Sequence, residues 1–264
     1  MKEKPPSTGI EPFIRTEISE GVAVFRLTDD VIDIALDLKK MAKFWDIFDA
    51  SEKSSEVSAM LFIGTKHCFS PERCDLFFEG LLKHCHSDSL EVAEKRQVSM
   101  EENAMFGFVR KIRRCPKAVA IALQGDVAAP FLGTSLGYDQ RIVSEDTIFH
   151  IQWHELGMPP IGGLAYFLPM YLGWGRASRI LLEETRIKAE QALDWGLVDH
   201  VVPLDALEES AINRARELGQ KPRESISGVK RLMDMHLLHM ERSFDNERQI
   251  IVRALNRLKL KGSE

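Results

Sequence analysis

Apolar positions along the first two-thirds of the chain form short strand-like segments that are separated by segments with helical spacing. Residues 14–18 and 22–27 are rich in apolar residues on either side of Glu20-Gly21, a pattern that predicts a β-hairpin. Two further apolar runs, VSAMLFIG and AVAIALQG, each end in glycine and predict buried strands. Helical spacing of the apolar residues predicts helices over 32–50, 75–82, 100–114 and 131–138.

The last third of the chain is predicted to be mainly helical. Short strands are predicted at 141–144 and 199–202, and the final long helix has a weak point at Gly228. Strands that alternate with helices favour α/β packing. We therefore predict a flexible arm at 1–12, an α/β core at 13–200 and a helical region at 201–264. The remaining helices are predicted over 164–172, 176–182, 189–195, 204–218 and 225–258.

Composition is that of a globular protein with a sizeable core, since 44% of the 264 residues are hydrophobic and 28% are charged. A formal net charge of -5 gives no indication of a nucleic-acid partner. No apolar run reaches the roughly 18 residues that a membrane-spanning helix needs, and residues 1–12 lack the apolar region of a signal peptide. Four cysteines do not suggest a disulfide framework. These features predict a cytoplasmic protein without a membrane or nucleic-acid partner.

The central part of the chain, over about 117–205, resembles the crotonase superfamily of enoyl-CoA hydratases and isomerases. The resemblance implies a spiral of ββα units followed by an α-helical trimerisation region. It also implies a CoA or acyl-carrier thioester as substrate, no separate cofactor, and enolate stabilisation by two backbone N–H groups. The residues at family spacing are Gln124-Gly125, Asp139, Phe149, Gly157, Pro160, Gly163 and Gly196-Leu197-Val198.

The resemblance assigns positions to the family's reactive groups, and this chain departs from the pattern at several of them. The first N–H donor matches Cys74, in a loop one residue longer than usual. The second falls on Pro130, which has no N–H, and a shift of one residue would bring the N–H of Phe131 into its place. The two hydratase glutamates are replaced by Gly133 and Trp153. A simple water addition therefore has no evident acid and base.

The stretch around Trp153 also resembles the 4-chlorobenzoyl-CoA dehalogenase branch, which has Trp-His at this point. The position of that branch's nucleophilic aspartate holds Ile161, so dehalogenation by that route is not expected. Trp153 either lines an acyl pocket or fills the volume of the missing glutamate. The nearest titratable side chains are His150, His154 and Glu155; a histidine can protonate an enolate at neutral pH, and we take His154 and Glu155 as candidate acid–base residues. The resemblance places Pro130, Gly133, Trp153 and Ile161 against the substrate.

Two functions remain open from the sequence. The first is a lyase or isomerase that acts on an acyl-CoA or acyl-carrier thioester through an enolate. Decarboxylation of a β-carboxyacyl thioester fits better than hydration, because loss of CO₂ makes the enolate without a base. The second is an inactive paralogue that binds a thioester or serves as a partner subunit, which Pro130, Gly133 and Trp153 favour.

Metal binding and assembly complete the expectations. Zinc-ligand residue types cluster at His67, Cys68, Cys74, His84, Cys85 and His86, but their spacing is not that of chelating pairs, so no metal site is predicted.

The C-terminal helix carries too many apolar residues for a free surface helix, and we predict a homotrimer or a dimer of trimers. These apolar residues are Leu232, Met235, Leu238, Phe244, Ile250, Val252 and Leu255.

Overall fold

The fold is built on a six-stranded sheet in the order β1-β2-β3-β4-β6-β9. The computed structural model describes residues 13–86, 105–151, 159–183, 186–234 and 237–261. β1 and β2 are antiparallel, and the other neighbouring strands of this sheet are parallel. A second, three-stranded sheet has the order β5-β7-β8. The strands are β1 (Ile14–Ser19), β2 (Val22–Leu27), β3 (Ala59–Ile63), β4 (Ala118–Leu123), β5 (Asp126–Ala128), β6 (Gln140–Ser144), β7 (Ile148–His150), β8 (Arg186–Lys188) and β9 (His200–Val202).

Helices surround both sheets and make up most of the C-terminal part of the described chain. A 3-10 helix, Val31–Leu36, follows the first hairpin, and another, Leu204–Ala206, follows β9. The α-helices are α1 (Leu38–Lys53), α2 (Pro71–His86), α3 (Gly107–Arg114), α4 (Ala129–Ser135), α5 (Leu164–Leu172), α6 (Trp174–Glu183), α7 (Ala189–Asp194), α8 (Leu207–Gly219), α9 (Arg223–Met233) and α10 (Leu237–Lys261).

The first hairpin forms as the sequence predicts. Glu20 and Gly21 have φ angles of 49° and 82°, and two positive φ values in a two-residue turn match the right-handed twist of the flanking strands. β3 and β4 are the two apolar runs that end near glycine, and every residue in both is buried. Phenylalanines pack on one face of these strands, and α8 covers the other face with Leu207, Ala211 and Ala215. Burial on both faces explains why these strands are apolar throughout.

The predicted helix over 32–50 is interrupted at Asp37. A 3-10 helix ends before this residue, and the Asp37 carboxylate then accepts hydrogen bonds from the N–H groups of Lys39 and Lys40 at 2.9 and 3.2 Å. Such a carboxylate is an N-cap and starts a new helix. The apolar spacing continues through the break, so periodicity alone did not reveal it.

The second predicted helix begins four residues earlier than expected, at Pro71 and not at Asp75. Ser70 precedes it, and its hydroxyl oxygen accepts a hydrogen bond from the Arg73 N–H at 3.4 Å. Serine before a helix and proline at its first position are both start signals. This early start places Cys74 inside the helix, with consequences for the site.

Some elements of the C-terminal region differ from those predicted. β9 extends to Val202 and α8 packs on the main sheet, so the core includes residues beyond 200, and the division of the chain at residue 200 stays a prediction. Gly228 lies within α9, and the helix ends at Met233. The three-stranded sheet is not predicted from the sequence, because strands of three residues are too short to show alternation. In the part of the chain that the structure describes, no helix has the length and apolarity needed to cross a membrane.

Candidate functional site

The N-termini of α2 and α4 lie side by side. The Ala128 N–H, just before α4, donates to the carbonyl oxygen of Phe69, just before α2, at 2.8 Å. The rings of Phe69 and Phe131 stack with centroids 4.6 Å apart. The first turns of both helices therefore meet at one point, which is where the family resemblance places the two N–H donors.

Cys74 does not offer its N–H to a ligand in this structure. The N–H donates to the carbonyl oxygen of Ser70 at 3.0 Å and forms the first hydrogen bond of α2. The side chain is buried, and burial raises the pKa of the thiol to about 12. The donor role of Cys74 stays a prediction, and this structure does not support it, because the residue is helical and its N–H is already paired.

In the first turn of α4, Pro130 cannot donate a hydrogen bond and Phe131 follows it, as the sequence indicates. Proline occupies the first turn and has no N–H to donate. Phe131 is the third residue of the helix, and the helix itself pairs none of the N–H groups in its first turn. The donor role of Phe131 stays a prediction, and the structure is compatible with it.

Phe69 and Phe131 are among the residues that line an apolar cavity of about 90 Å³. Among the described lining residues the polar side chains are Thr134 and Tyr138, and burial raises the pKa of Tyr138 above its ordinary value. The Thr134 hydroxyl donates to the Phe131 carbonyl at 3.2 Å. The lining residues are Ile14, Leu27, Val31, Ile32, Ile34, Ala35, Met41, Phe44, Phe69, Phe77, Met105, Phe108, Val109, Ile112, Ile121, Phe131, Thr134 and Tyr138.

The residues predicted to bind substrate lie elsewhere. Gly133 faces a turn and not the cavity: a Cβ added to it would come within 2.5 Å of the Gly162 carbonyl oxygen and 2.9 Å of the Leu164 nitrogen. Pro130 and the buried Ile161 are not among the residues that line the cavity. In α4, Gly133 and Pro130 pack against the backbone of the turn at residues 162–164, and the contacts of these residues and of Ile161 with an acyl group stay predictions. The other predicted site residues, Trp153, His154 and Glu155, lie outside the described residues.

A titratable pair lies next to the first turns of α2 and α4. His150, at the end of β7, contacts Asp126, on β5, with Nε2 and Oδ1 2.6 Å apart. Glu72, in the first turn of α2, lies within electrostatic range of both, and a hydrogen bond from Ser70 is the main cause that lowers the pKa of Glu72. Within the described ranges, no cluster of three or more His, Cys, Asp and Glu side chains has the arrangement of a metal site.

Little in the sequence points to this pair. Titratable character is evident for His150, but nothing indicates Asp126 as its partner, because both residues lie in three-residue strands that the periodicity does not reveal. A histidine directly after the family phenylalanine, Phe149, is the one sequence signal that could have drawn attention to it.

The C-terminal helix, α10, contacts the turn that packs against α4. The Glu247 carboxylate accepts the Gly163 N–H through both oxygens, at 3.1 and 3.3 Å. The Phe244 ring packs so closely on Gly163 that a Cβ there would lie 2.7 Å from it. The adjacent Gly162 has a φ of +78°, and a Cβ there would lie 2.3 Å from the Pro130 carbonyl oxygen. α10 thus supports the turn on which Pro130 and Gly133 rest.

Comparison with known proteins agrees with this arrangement. The sequence model of the enoyl-CoA hydratase/isomerase family matches residues 17–262. The chain belongs to the enoyl-CoA hydratase/isomerase family. Its fold, an α/β core with C-terminal helices, is the crotonase fold of that family, as the resemblance at residues 117–205 predicts.

Individual relatives of this family member are distant and have different activities. The chain is 30% identical to the 1,2-epoxyphenylacetyl-CoA isomerase of Escherichia coli over 48% of each chain. It is 25% identical to a probable enoyl-CoA hydratase of Rhodobacter capsulatus over 83% of this chain and 79% of the relative. It is 22% identical to the 4-chlorobenzoyl coenzyme A dehalogenase-2 of an Arthrobacter species, over 82% of this chain and 75% of that protein.

Solved structures match over almost the full length. The crystal structure of enoyl-CoA hydratase from Bacillus halodurans superposes with a TM-score of 0.76 and 21% identity, covering 92% of this chain and 95% of that one. That of a probable enoyl-CoA hydratase from Mycobacterium smegmatis gives a TM-score of 0.73 at 18% identity, covering 95% and 98%. At these identities the similarity establishes the fold.

Proposed function

We propose that this protein acts on a short-chain acyl thioester through an enolate, as a decarboxylase of a β-carboxyacyl group or as an isomerase. One observation carries the proposal. Phe131 combines a first-turn N–H with a ring that lines the apolar cavity. A thioester oxygen at that N–H would place the acyl group at the entrance of the cavity.

The size and lining of the cavity indicate the acyl group. Its volume of about 90 Å³ is smaller than the roughly 150 Å³ apolar cavity that accepts benzene. A chain of a few carbons fits such a space better than a long fatty acyl chain. The hydroxyls of Thr134 and Tyr138 offer the described polar contacts inside it.

Hydration is the reaction that the packing disfavours. A glutamate at position 133 would need space that the Gly162 carbonyl and Leu164 nitrogen already occupy. Positioned acid and base groups typically contribute about 10²–10⁴ each in rate, so their absence matters. Decarboxylation avoids the requirement for a base, since the C–C bond that breaks supplies the electron pair of the enolate.

A second candidate, an inactive thioester-binding or partner subunit, has a specific observation in its favour. The Cys74 N–H is bonded within α2, and Pro130 has none, so neither position of the family's donor pair offers a free N–H. Loss of one such donor typically costs about 10²–10³ in rate. Binding of a thioester to the cavity would survive that loss better than catalysis.

The deciding experiment compares 2-methylmalonyl-CoA with crotonyl-CoA on the purified protein. We expect CO₂ release from the first, and no loss of enoyl absorbance above background from the second. Pro130→Ala restores an N–H in the first turn of α4, and we expect it to raise CO₂ release. Binding of both thioesters in native mass spectrometry, with no CO₂ from either variant, would favour the inactive subunit. Hydration at about one turnover per second would overturn the proposal.

A further inference from the structure

We propose that His150, held by Asp126, delivers the proton to the α-carbon of the enolate. This inference rests on the proposed function, since it names the proton source that an enolate-forming reaction without glutamates needs. The observation behind it is the contact of 2.6 Å between His150 Nε2 and Asp126 Oδ1, on two strands that end at the site.

The register of β5 and β7 places His150 and Asp126 close to the start of α4, the helix that carries the Phe131 N–H. In the parallel pairing of β5 and β7, His150 lies opposite Ala128. Ala128 is the residue before α4, and its own N–H joins the start of α4 to the start of α2. The α-carbon of an enolate is separated from its oxygen by a single carbon atom. The proposal therefore places the α-carbon of an enolate held at the Phe131 N–H on the side of α4 where Ala128 lies opposite His150.

The contact with Asp126 assigns roles to the two nitrogens of the imidazole. A carboxylate accepts hydrogen bonds, so Nε2 is the nitrogen that carries hydrogen toward Asp126. Nδ1 is then the atom that takes up and releases a proton, and it has no partner among the described residues. The same division of roles is common where a carboxylate orients a histidine that transfers protons.

The imidazole of His150 is more buried than the carboxylate of Asp126, and this difference suits proton transfer. The His150 side chain is 11% exposed and the Asp126 side chain is 53% exposed. The imidazole is thus held within the protein while its partner remains in contact with solvent. The other charged groups that face it are Glu72 on α2 and Arg186, its cross-strand neighbour on β8.

The chemical step balances without an oxidant or a metal. The bond between the α-carbon and the carboxylate breaks, its electron pair passes into the enolate, and CO₂ leaves. The Nδ1 proton of the imidazolium then forms the new bond to the α-carbon, and the thioester carbonyl is restored. His150 regains its proton from water, so each turnover consumes one proton from solvent.

The test uses 2-methylmalonyl-CoA in D₂O, where the product carries one deuterium at C2. With the wild-type protein we expect a single configuration at C2. With His150→Gln we expect racemic deuterium, CO₂ release in the first turnover, and a steady-state rate that is lower by about 10²-fold. Asp126→Asn should show the same loss of configuration to a smaller degree. His200→Gln, at a partly buried histidine on β9, is the matched control and should keep the configuration.

A second measurement separates this inference from the proposed reaction. Propionyl-CoA incubated in D₂O reports proton exchange at C2 without any decarboxylation. One outcome is that the wild-type protein exchanges the C2 proton without releasing CO₂ and that His150→Gln abolishes this exchange. Such a result would refute the decarboxylation and support the role of His150 in proton transfer. Retained configuration and retained exchange in His150→Gln would overturn the inference. If His150→Gln does not fold by circular dichroism, Asp126→Asn decides by the same two readouts, because its side chain is half exposed.

Discussion

At the scale of single residues, Gly133 packs against backbone at the position where the family resemblance predicts a glutamate. The missing side chain leaves α4 in direct contact with the turn at residues 162–164. We expect Gly133→Ala to destabilise the protein by about 1–3 kcal/mol, the usual cost of overpacking, and more if the turn cannot move. Urea unfolding followed by circular dichroism measures this change.

The matched control is the same substitution at Gly228, in the interior of α9. A Cβ there would meet nothing within 4 Å. Alanine is a better helix former than glycine, so Gly228→Ala should stabilise the protein by about 0.5–1 kcal/mol. Equal effects of the two substitutions would show that Gly133 does not contact the turn in solution.

The sequence predicts some of the site at this scale and not the rest. The absence of a glutamate at position 133 and of an N–H at position 130 can be read directly. The role of Cys74 could not be read from the family pattern, because the loop is one residue longer. Ser70 and Pro71 signal an early helix start, and only that start shows that the Cys74 N–H is paired.

At the scale of elements, one buried lysine joins α9 to the core. Lys230 Nζ donates to Asp139 Oδ2 at 2.7 Å and to the carbonyls of Ile112 and Lys117 at 3.0 and 3.1 Å. The same Asp139 oxygen accepts the Val119 N–H at 2.8 Å. This network ties α9 to the end of α3 and to β4, and it gives Asp139, which lies at a family position, a structural role.

Substitution of Lys230 should lower the free energy of unfolding. We expect Lys230→Met to destabilise the protein by about 3–5 kcal/mol, because Asp139 is left without its buried partner. A double-mutant cycle with Asp139→Asn should give a coupling energy within about 0.5–3 kcal/mol. Lys221→Met, at an exposed lysine beyond α8, serves as the control and should stay within about 0.5 kcal/mol of wild type. A coupling energy of zero would mean that the ion pair does not form.

The elements that the sequence predicts well are the long and apolar ones. The hairpin, β3, β4 and α5 are found where periodicity places them, since β2, β3, β4 and α5 bury apolar residues in the core. The three-residue strands β5 and β7 could not be predicted, although they position Asp126 and His150. Their formation depends on pairing with each other, which a single stretch of sequence does not contain.

At the scale of the whole molecule, we propose that the chain assembles as a trimer or as a dimer of trimers. Leu232 and Leu238 are 73% and 72% exposed, on α9 and α10. Phe244, predicted to belong to the same interface, is instead buried within the chain against Phe106 and Phe167. Exposed leucines on neighbouring helices indicate a surface that another protein chain covers.

Light scattering at micromolar concentration tests the assembly. We expect the mass of three or six chains for wild type and a shift toward one chain for the double substitution of Leu232→Glu with Leu238→Glu. Ile18→Glu, at a residue that is 53% exposed on edge strand β1, is the control and should leave the mass unchanged. A wild-type protein that remains a single chain would remove the proposal.

The support that α10 gives to the turn at residues 162–163 has a consequence for how variants of this protein are interpreted. Phe244 and Glu247 lie more than a hundred positions after Pro130, yet they determine how firmly the turn beneath it is held. A tag, a truncation or an inherited change in the last helix would therefore resemble a defect of the site itself. Genetic screens for loss of function should return substitutions in this distant tail alongside those at the candidate site.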